Sequence, residues 1–317
     1  MTHKERFIAA LERKPIKGRV PTFELVFFLT MEAFGKLHPS MRAFGQWDQM
    51  SEHERQLHRQ DIVDTYRLTV EKYEHDALFF HPNPGSPEEQ VRSINMFNEQ
   101  TNNEYFIMMH GDATYSIPDG NSMMAFSYRL IDEPDKVKDD AERMVDNALK
   151  NAQFLKANTD LTGFALCSDY CLNTGPFLSP SQFAEFVTPY LKRLIAGYRE
   201  LGFYTIKHTD GNIMPIIDQL VDCNPHALHS IDPQAKVDIA EVKRLYGDRV
   251  CLCGNVNCGL LQTGTDEECI ESARYCLKHG MPGGGYIFCT SNCAYTGMAL
   301  ERYELIWKVW HEEGIYR

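Results

Sequence analysis

The length, composition and charge of the chain exclude several classes of protein. It has 317 residues, with 32 basic and 44 acidic side chains, so its formal charge is −12. The charged fraction of 24% and the hydrophobic fraction of 43% are those of a folded globular protein. Because phosphate groups are bound by clustered Lys and Arg, an acidic chain without a basic tract is not expected to bind nucleic acid or anionic membranes.

The sequence also predicts a cytoplasmic location. Residues 1–6 already carry charges and leave no room for the apolar core of a signal peptide. No stretch approaches the roughly 18 apolar residues of a membrane-spanning helix. The ten cysteines are therefore interpreted as thiols, since the reducing cytosol does not maintain disulfides.

The first 130 residues predict a helical extension, two strands and an insertion. Residues 5–14 have apolar side chains at helical spacing, which indicates an amphipathic helix ahead of the main fold. Two apolar segments, residues 19–29 and 75–82, are predicted as buried strands, with a helical region at 31–73 between them. Further along, residues 105–110 and 123–128 are expected to pair as a β insertion.

The second half alternates strands with helices. Predicted strands occupy residues 163–170, 204–210, 227–232, 250–256 and 286–292, and predicted helices occupy residues 181–201, 238–246 and 266–279. Alternation of this kind is typical of a parallel sheet with right-handed crossovers, and seven or eight such units indicate an α/β fold of the (β/α)8 TIM-barrel type. A doubly wound sheet is the alternative, weakened because no Gly-x-Gly-x-x-Gly follows the first strand. Residues 1–317 are expected to form a single domain.

Polar side chains mark the ends of the predicted strands. In a TIM barrel the active site lies at the C-terminal ends of the strands. A polar group at such a place costs free energy unless it is paired or used. The residues concerned are Asp169 and Tyr170, His208 and Asp210, His229 and Asp232, Cys253 and Asn255, and Cys289 through Cys293.

Part of this set has the composition of a zinc site, namely His208, Asp210, Cys253, Cys289 and Cys293. Zinc binds thiolate, imidazole and carboxylate groups, and a catalytic zinc keeps one position open. His208 and Asp210 are two residues apart on a strand, so both side chains face the same way, and Cys251 and Cys253 share that relation. The alternative is that His208 is hydrogen-bonded in the core while the cysteines only pack.

Several motifs add a family resemblance. Residues 207–212 read Lys-His-Thr-Asp-Gly-Asn, residues 229–233 read His-Ser-Ile-Asp-Pro, and residues 282–287 read Pro-Gly-Gly-Gly-Tyr-Ile. Residues 168–170 and 246–256 fit the same pattern. In these motifs the chain resembles the uroporphyrinogen decarboxylase superfamily, which implies a TIM barrel over nearly the whole chain, most strongly after residue 160.

The resemblance implies one of two chemistries. Uroporphyrinogen decarboxylases carry arginines near the first strand that bind propionate groups, whereas residues 22–29 here contain no arginine and one acid, Glu24. The other branch consists of corrinoid-dependent methyltransferases, which use zinc, and its thiol-specific members carry His-x-Cys on a strand. This chain has His208-Thr209-Asp210 at that place. The departure favours an oxygen substrate over a thiol.

We therefore predict a zinc-dependent methyltransferase that moves a methyl group from a small donor, expected to be a methoxylated aromatic, to a corrinoid protein. The corrinoid (cobalamin) would be carried by that partner. The predicted zinc ligands are His208, Cys253 and Cys293, with Cys289 as the alternative to Cys293. Asp210 is either a fourth ligand or the group that orients His208. The other predicted roles are catalytic for Asp210, Asp169 and Tyr170, and substrate-binding for Glu24, Phe27, His229 and Asn255.

Two other functions are compatible with the same residues. A metal-free decarboxylase of a small or tetrapyrrole-like carboxylic acid would use Asp169, Tyr170 and His208 for proton transfer. A non-catalytic binding protein on the same barrel is the second alternative, because a fold alone does not fix function. The number of polar residues at the strand ends argues against the second alternative.

Overall fold

The structure is a computed structural model that describes residues 1–81 and 83–316. Its helices are α1 (His3–Leu11), α2 (Thr30–Phe34), α3 (Glu52–Lys72), α4 (Pro87–Gln100), α5 (Met123–Asp132), α6 (Pro134–Asn158), α7 (Pro180–Phe186), α8 (Thr188–Glu200), α9 (Ile217–Asp222), α10 (Ile239–Tyr246), α11 (Cys258–Thr263), α12 (Asp266–Gly280) and α13 (Leu300–Glu313). Short 3₁₀ helices span Pro39–Met41, Trp47–Gln49 and Pro233–Ala235. Within the described ranges, none of the helices has the length and apolar character needed to cross a bilayer.

The strands divide between one large sheet and two small ones. They are β1 (Gly18–Arg19), β2 (Ala77–Phe79), β3 (Phe106–His110), β4 (Gly163–Leu166), β5 (Cys171–Leu172), β6 (Gly175–Pro176), β7 (Tyr204–His208), β8 (Ala227–His229), β9 (Cys251–Cys253), β10 (Tyr286–Ile287) and β11 (Ile315–Tyr316). The large sheet has the order β10-β9-β8-β7-β4-β3-β2, and all its neighbours are parallel. The strands β1 and β11 pair with each other, as do β5 and β6.

An irregular segment near the N-terminus closes the large sheet. Thr22 forms a parallel bridge with Phe288, just beyond β10, and its carbonyl accepts a hydrogen bond from the Asp76 N–H, just before β2. The same segment makes a second parallel bridge, from Phe27 to Ala294. The two outer strands of the sheet are thereby joined. The predicted TIM barrel is confirmed.

Helix α1 is the predicted N-terminal extension, and it covers one end of the barrel. Thr2 and Glu5 form a capping box that satisfies free N–H groups at the start of the helix. Phe7 packs against Phe23 and Phe106, with ring centroids 5.6 and 4.7 Å away. Since Phe106 is the first residue of β3, α1 lies at the end opposite the C-terminal ends of the strands. Those ends are left for the site.

The predicted β insertion is wrong. Residues 105–110 do form a strand, β3, but it pairs in parallel with β2 and β4 inside the barrel. Residues 123–128 belong to helix α5 instead. The reason is the spacing of its buried residues: Phe126 and Leu130 are four apart, which places them on one face of a helix. Tertiary burial of that face overrides the β propensity of the segment.

Three further boundaries differ from the prediction. The helical region predicted at 31–73 forms α2 and α3, and residues 35–51 between them contain only short 3₁₀ helices. The strand predicted at residues 19–29 is reduced to β1 and isolated bridges, and the helix predicted at 181–201 is divided into α7 and α8 around Val187. Pro189 explains this division, because proline lacks the N–H needed to continue the helical hydrogen bonds. The strand predicted at 75–82 appears as β2, and its last position, Pro82, lies outside the described residues.

Because His75 is buried, we predict that the protein is less stable in acid. His75 packs 5.0 Å from the Trp307 ring, and burial lowers its pKa to about 3. Its contribution is fully present above the unfolded pKa of about 6.5 and is lost as pH falls towards 3, because only the unfolded chain takes up the proton. We predict that His75→Phe reduces the pH slope of the unfolding free energy between pH 6.5 and 4 by up to about 1.4 kcal/mol per pH unit.

Urea denaturation at several pH values measures this slope. Substituting the exposed His53 with Gln is the matched control and should leave the slope as in the wild type. Equal slopes for the wild type and His75→Phe would contradict the prediction.

Candidate metal centre at the strand ends

Three ionisable side chains meet at the C-terminal ends of β4 and β7. The Nε2 atom of His208 lies 3.8 Å from Asp169 Oδ1 and 3.8 Å from Asp210 Oδ1. Both distances are too long for a hydrogen bond. The potential ligand atoms of Asp169, His208 and Asp210 all lie within 4.8 Å of one another. Across residues 1–81 and 83–316, this is the one cluster of three or more His, Cys, Asp or Glu side chains with such spacing.

The backbone around Asp210 holds the two carboxylates side by side. The Asp210 N–H donates to Asp169 Oδ1 over 2.9 Å. Gly211, the next residue, has φ of 82°, and a Cβ atom there would lie 2.3 Å from the Cys171 carbonyl oxygen. Its N–H donates to Asp232 Oδ2 over 3.1 Å. Only glycine fits this turn, which directs the chain away from β7 immediately after the site.

Hydrogen bonds fix the orientation of the Asp210 carboxylate. Ser230 Oγ donates to Asp210 Oδ1 over 2.7 Å, and Asn292 Nδ2 donates to Asp210 Oδ2. Burial raises the pKa of Asp210 to about 7, and the charges of Asp169 and Asp232 add to this effect. When burial and like charges raise the pKa of a carboxyl group in this way, a cation that binds beside it stabilises its ionised form.

His208 is held from behind by a second histidine. Its Nδ1 atom lies 2.7 Å from His229 Nδ1, so one ring donates a hydrogen bond and the other accepts it. Burial lowers the pKa of His208 to about 3, and burial together with His208 lowers the pKa of His229 well below its usual value. Both rings are therefore neutral, and a neutral imidazole is the form that binds metals.

The structure does not bring the predicted cysteine ligands into this group. Cys253 is fully buried among apolar side chains of the barrel interior, and burial raises its pKa well above the usual value, with Cys251 and Cys289 adding to the shift. Cys293 is partly exposed, and burial, Glu24, Cys258 and the charge of Asp210 raise its pKa. Neither thiol belongs to the cluster around His208.

Most of the other predicted site residues are buried and hydrogen-bonded. The Tyr170 hydroxyl shares a 2.6 Å hydrogen bond with Thr114 Oγ1. Asn255 donates to the Ile231 carbonyl over 2.7 Å, and Phe27 packs between Tyr73 and Tyr303. Glu24 accepts a hydrogen bond from Thr290, and burial raises its pKa to about 8. His229, predicted to bind substrate, is 1% exposed and contacts His208.

Sequence reasoning missed the residues that support the cluster. Ser230 and Asn292 orient Asp210, and a fully buried pair, Lys207 and Asp112, lies behind the site. Lys207 carried a readable signal: the strands of a parallel barrel are covered on both faces, so a lysine in one of them must be paired. Asp112 carried none, because its loop lies in the segment that was wrongly predicted to be a β insertion.

A parallel barrel with ionisable side chains gathered at the C-terminal ends of its strands is the arrangement of TIM-barrel enzymes. Residues 119–313 match the family described as uroporphyrinogen decarboxylase (URO-D). The match covers more than half of the chain, which belongs to the uroporphyrinogen decarboxylase family. The resemblance noted in the sequence motifs is thereby confirmed.

Solved structures show the same fold. A methyltransferase from Methanosarcina mazei superposes with a TM-score of 0.75 at 17% identity, and the alignment covers 98% of this chain and 99% of that one. A GH5_18 protein from Bifidobacterium longum subsp. infantis gives a TM-score of 0.51 at 11% identity, covering 94% of this chain and 79% of that one. At these identities the likeness concerns the fold alone. No curated protein matches the sequence significantly.

The two ligand sets make different predictions for metal content. If the metal is held by Asp169, His208 and Asp210, then His208→Ala should remove most of the metal from the purified protein, because a site that loses one of three ligands is poor. Under the same assignment Cys253→Ala should retain its metal. Elemental analysis of purified variants measures both, with Cys269→Ala as the control for loss of a buried thiol.

A wild-type metal content in His208→Ala would contradict the cluster as the binding site. Loss of metal in Cys253→Ala, with the Cys269→Ala protein intact, would favour the thiol ligands that the sequence predicted.

Proposed function

We propose that the protein is a cytoplasmic, metal-dependent methyltransferase that moves a methyl group from a small methoxylated compound to a corrinoid protein. The observation that carries this proposal is the cluster of Asp169, His208 and Asp210 at the C-terminal end of a uroporphyrinogen decarboxylase-family barrel. The likeness in fold to a methyltransferase from Methanosarcina mazei supports the reaction type.

The residues present fit a divalent metal. Zinc accepts imidazole nitrogen and carboxylate oxygen, and His208 presents a neutral ring to two carboxylates. Ser230 and Asn292 leave Asp210 with free lone pairs, because each of its oxygens can accept more than one bond. We propose zinc held by these three residues. Cys293 remains the further candidate ligand, because the charge of Asp210 is one of the causes that raise the pKa of its thiol.

Bound zinc would polarise the ether oxygen of the donor as a Lewis acid. The C–O bond of the donor would break: the methyl group would pass without its bonding electron pair to the reduced corrinoid of the partner protein, which would supply the pair for the new bond. The ether oxygen would keep its own pair as an alkoxide or phenolate. The chain's own contribution is orientation: His229 holds the His208 ring, and Ser230 and Asn292 hold Asp210. Asp169 is about half exposed, so it is the carboxylate that an entering donor meets first.

Decarboxylation of uroporphyrinogen is a poor fit to this site. A substrate with many carboxylates requires cationic side chains. The groups gathered here are Asp169, Asp210 and Asp232, and residues 22–29 contain no arginine. A smaller carboxylic acid is the second candidate, favoured by one observation: with a pKa of about 7, Asp210 can donate and accept a proton near neutral pH.

Methyl transfer to free cob(I)alamin tests the proposal. We expect the zinc-loaded protein to convert cob(I)alamin to methylcobalamin with at least one methoxylated aromatic compound, followed by the change in visible absorbance. The rate should fall at least about a hundredfold in His208→Ala, because the group that polarises the leaving oxygen is lost. Uroporphyrinogen, assayed in parallel, should not be decarboxylated.

Efficient turnover of uroporphyrinogen would show that the choice between the two chemistries is wrong. Absence of methyl transfer in a folded, zinc-loaded sample across the substrate panel would favour a decarboxylase or a non-catalytic binding protein.

Replacing Asp210 by cysteine tests whether this carboxylate sets the substrate class. A thiolate gives more electron density to zinc than a carboxylate does, so the metal becomes a weaker Lewis acid. We predict that Asp210→Cys keeps its zinc but loses ether demethylation by at least about tenfold. The control is Asp210→Asn, which has the same size but no charge and should bind zinc weakly. Full zinc content together with a full demethylation rate in Asp210→Cys would contradict the prediction.

A further inference from the structure

An ion pair with fully buried side chains lies behind the candidate site, on the other face of β7. Lys207 Nζ is 2.8 Å from Asp112 Oδ2, and both side chains are 0% exposed. Transferring two charges from water into a protein interior is costly, and the attraction between them offsets the cost only when geometry and hydrogen bonding are complete. The hydrogen bonds around the pair therefore show which part of the structure it stabilises.

The lysine is completely satisfied. An ammonium group has three donors, and Lys207 Nζ donates to Asp112 Oδ2, to the Leu166 carbonyl over 3.1 Å and to the Ser168 carbonyl over 2.8 Å. The same nitrogen lies 4.1 Å from the centre of the Tyr170 ring, within the range of a cation–π interaction. Every contact but the one to Asp112 falls on residues 166–170.

The aspartate binds the same segment. Asp112 Oδ2 also accepts a hydrogen bond from the Ser168 N–H over 3.0 Å. Its Oδ1 accepts from the N–H and hydroxyl of Thr114, over 3.1 and 2.6 Å. The Thr114 hydroxyl in turn shares its 2.6 Å hydrogen bond with Tyr170. Ser168 and Tyr170, on either side of Asp169, are thus both tied to the ion pair.

The segment between Ser168 and Tyr170 is the one that presents Asp169 to the site. Lys207 immediately precedes His208 on β7, and side chains alternate along a strand, so the lysine lies behind the site while His208 faces it. The register of the strands places Leu166 opposite Lys207, which brings Asp169 beside Asp210. Two of the three hydrogen bonds of the ammonium group go to this segment and the third goes to Asp112.

We propose that Lys207 is a positioning residue: with Asp112 it fixes residues 166–170 so that the Asp169 carboxylate stands 3.8 Å from His208 Nε2. This inference rests on the proposed metal site. Without the ammonium group, the Leu166 and Ser168 carbonyls lose their donor. The position of Asp169 beside His208 then depends on the remaining hydrogen bonds of the segment, such as the one from the Asp210 N–H, and is held less firmly. The expected result is a weaker metal site in a protein that is still folded.

The test is the zinc affinity of a charge-free pair, measured by competition with a chelator. Lys207→Met/Asp112→Asn removes both charges together, because replacing a whole buried pair is tolerated far better than breaking one. The single amide oxygen of the replacement keeps an acceptor for one of the two N–H groups, those of Ser168 and Thr114, that bind the two carboxylate oxygens of Asp112. We expect zinc to bind at least about tenfold more weakly, with cooperative thermal unfolding retained. The matched control is a buried pair remote from the site, Arg59 and Glu89, replaced as Arg59→Met/Glu89→Gln, which should leave zinc affinity unchanged.

A mutant cycle with Asp169 separates positioning from general destabilisation. If Lys207 acts through Asp169, then the triple variant, which combines Asp169→Asn with the charge-free pair, should bind zinc almost as well as the Asp169→Asn single variant does. Full additivity of the two losses, or an unchanged affinity in the charge-free pair, overturns the inference. If the charge-free pair does not fold, Thr114→Val takes its place, because it removes the hydroxyl hydrogen bonds to Asp112 and Tyr170 at constant shape. This variant should bind zinc at least about threefold more weakly. An unchanged affinity overturns the inference.

The same measurements distinguish this inference from the proposed function. Absence of zinc binding in the wild type, or wild-type affinity in Asp169→Asn, would overturn the metal assignment and the inference with it. A clear loss in Asp169→Asn without any loss in the charge-free pair overturns only the role of Lys207.

Discussion

The pairing of β4 with β7 is the constraint on which the site depends. Leu166 lies opposite Lys207 in the parallel register, so the chain leaves β4 at the level where His208 ends β7. A shift of one residue would turn the side chains of one strand to the opposite face of the sheet. His208 would then point towards the helices and Lys207 into the barrel. The Lys207–Asp112 pair reinforces this register, because the paired lysine also donates to the Ser168 carbonyl in the loop after β4.

The electrostatics of the site follow from burial. His208 and His229 are kept neutral by desolvation, and Asp210 is kept from full ionisation by desolvation and its acidic neighbours. The buried ammonium group of Lys207, behind the site, is already paired with Asp112. A cation that binds among neutral imidazoles and crowded carboxylates lowers the free energy of the site. This is the physical basis for proposing a metal here.

Much of the fold could be predicted from the sequence, while the site could be predicted only in part. Regular alternation after residue 160 indicates parallel strands joined by helices, and the strands β4, β7, β8, β9 and β10 lie within their predicted segments. Residues 123–128 were predicted incorrectly because a short apolar segment is ambiguous in period, and only the burial of Phe126 and Leu130 decides for a helix. Asp169, His208 and Asp210 were all selected as site residues, but their mutual distances were not predictable.

The cysteines show where reasoning from sequence stops. Cys253 is in register with His229 and lies two strands from His208, so its position at a strand end was predicted well. Composition cannot tell whether a thiol at that level meets the histidine or packs among other thiols, because the curvature of the barrel sets the distance between strands that are not neighbours. By itself, the sequence determined the barrel and the strand ends that carry polar groups, since hydrophobic periodicity is a local property. Which of those groups stand within reach of one another was decided by the tertiary structure alone, because register, barrel closure and buried pairs such as Lys207–Asp112 join residues that are distant in sequence.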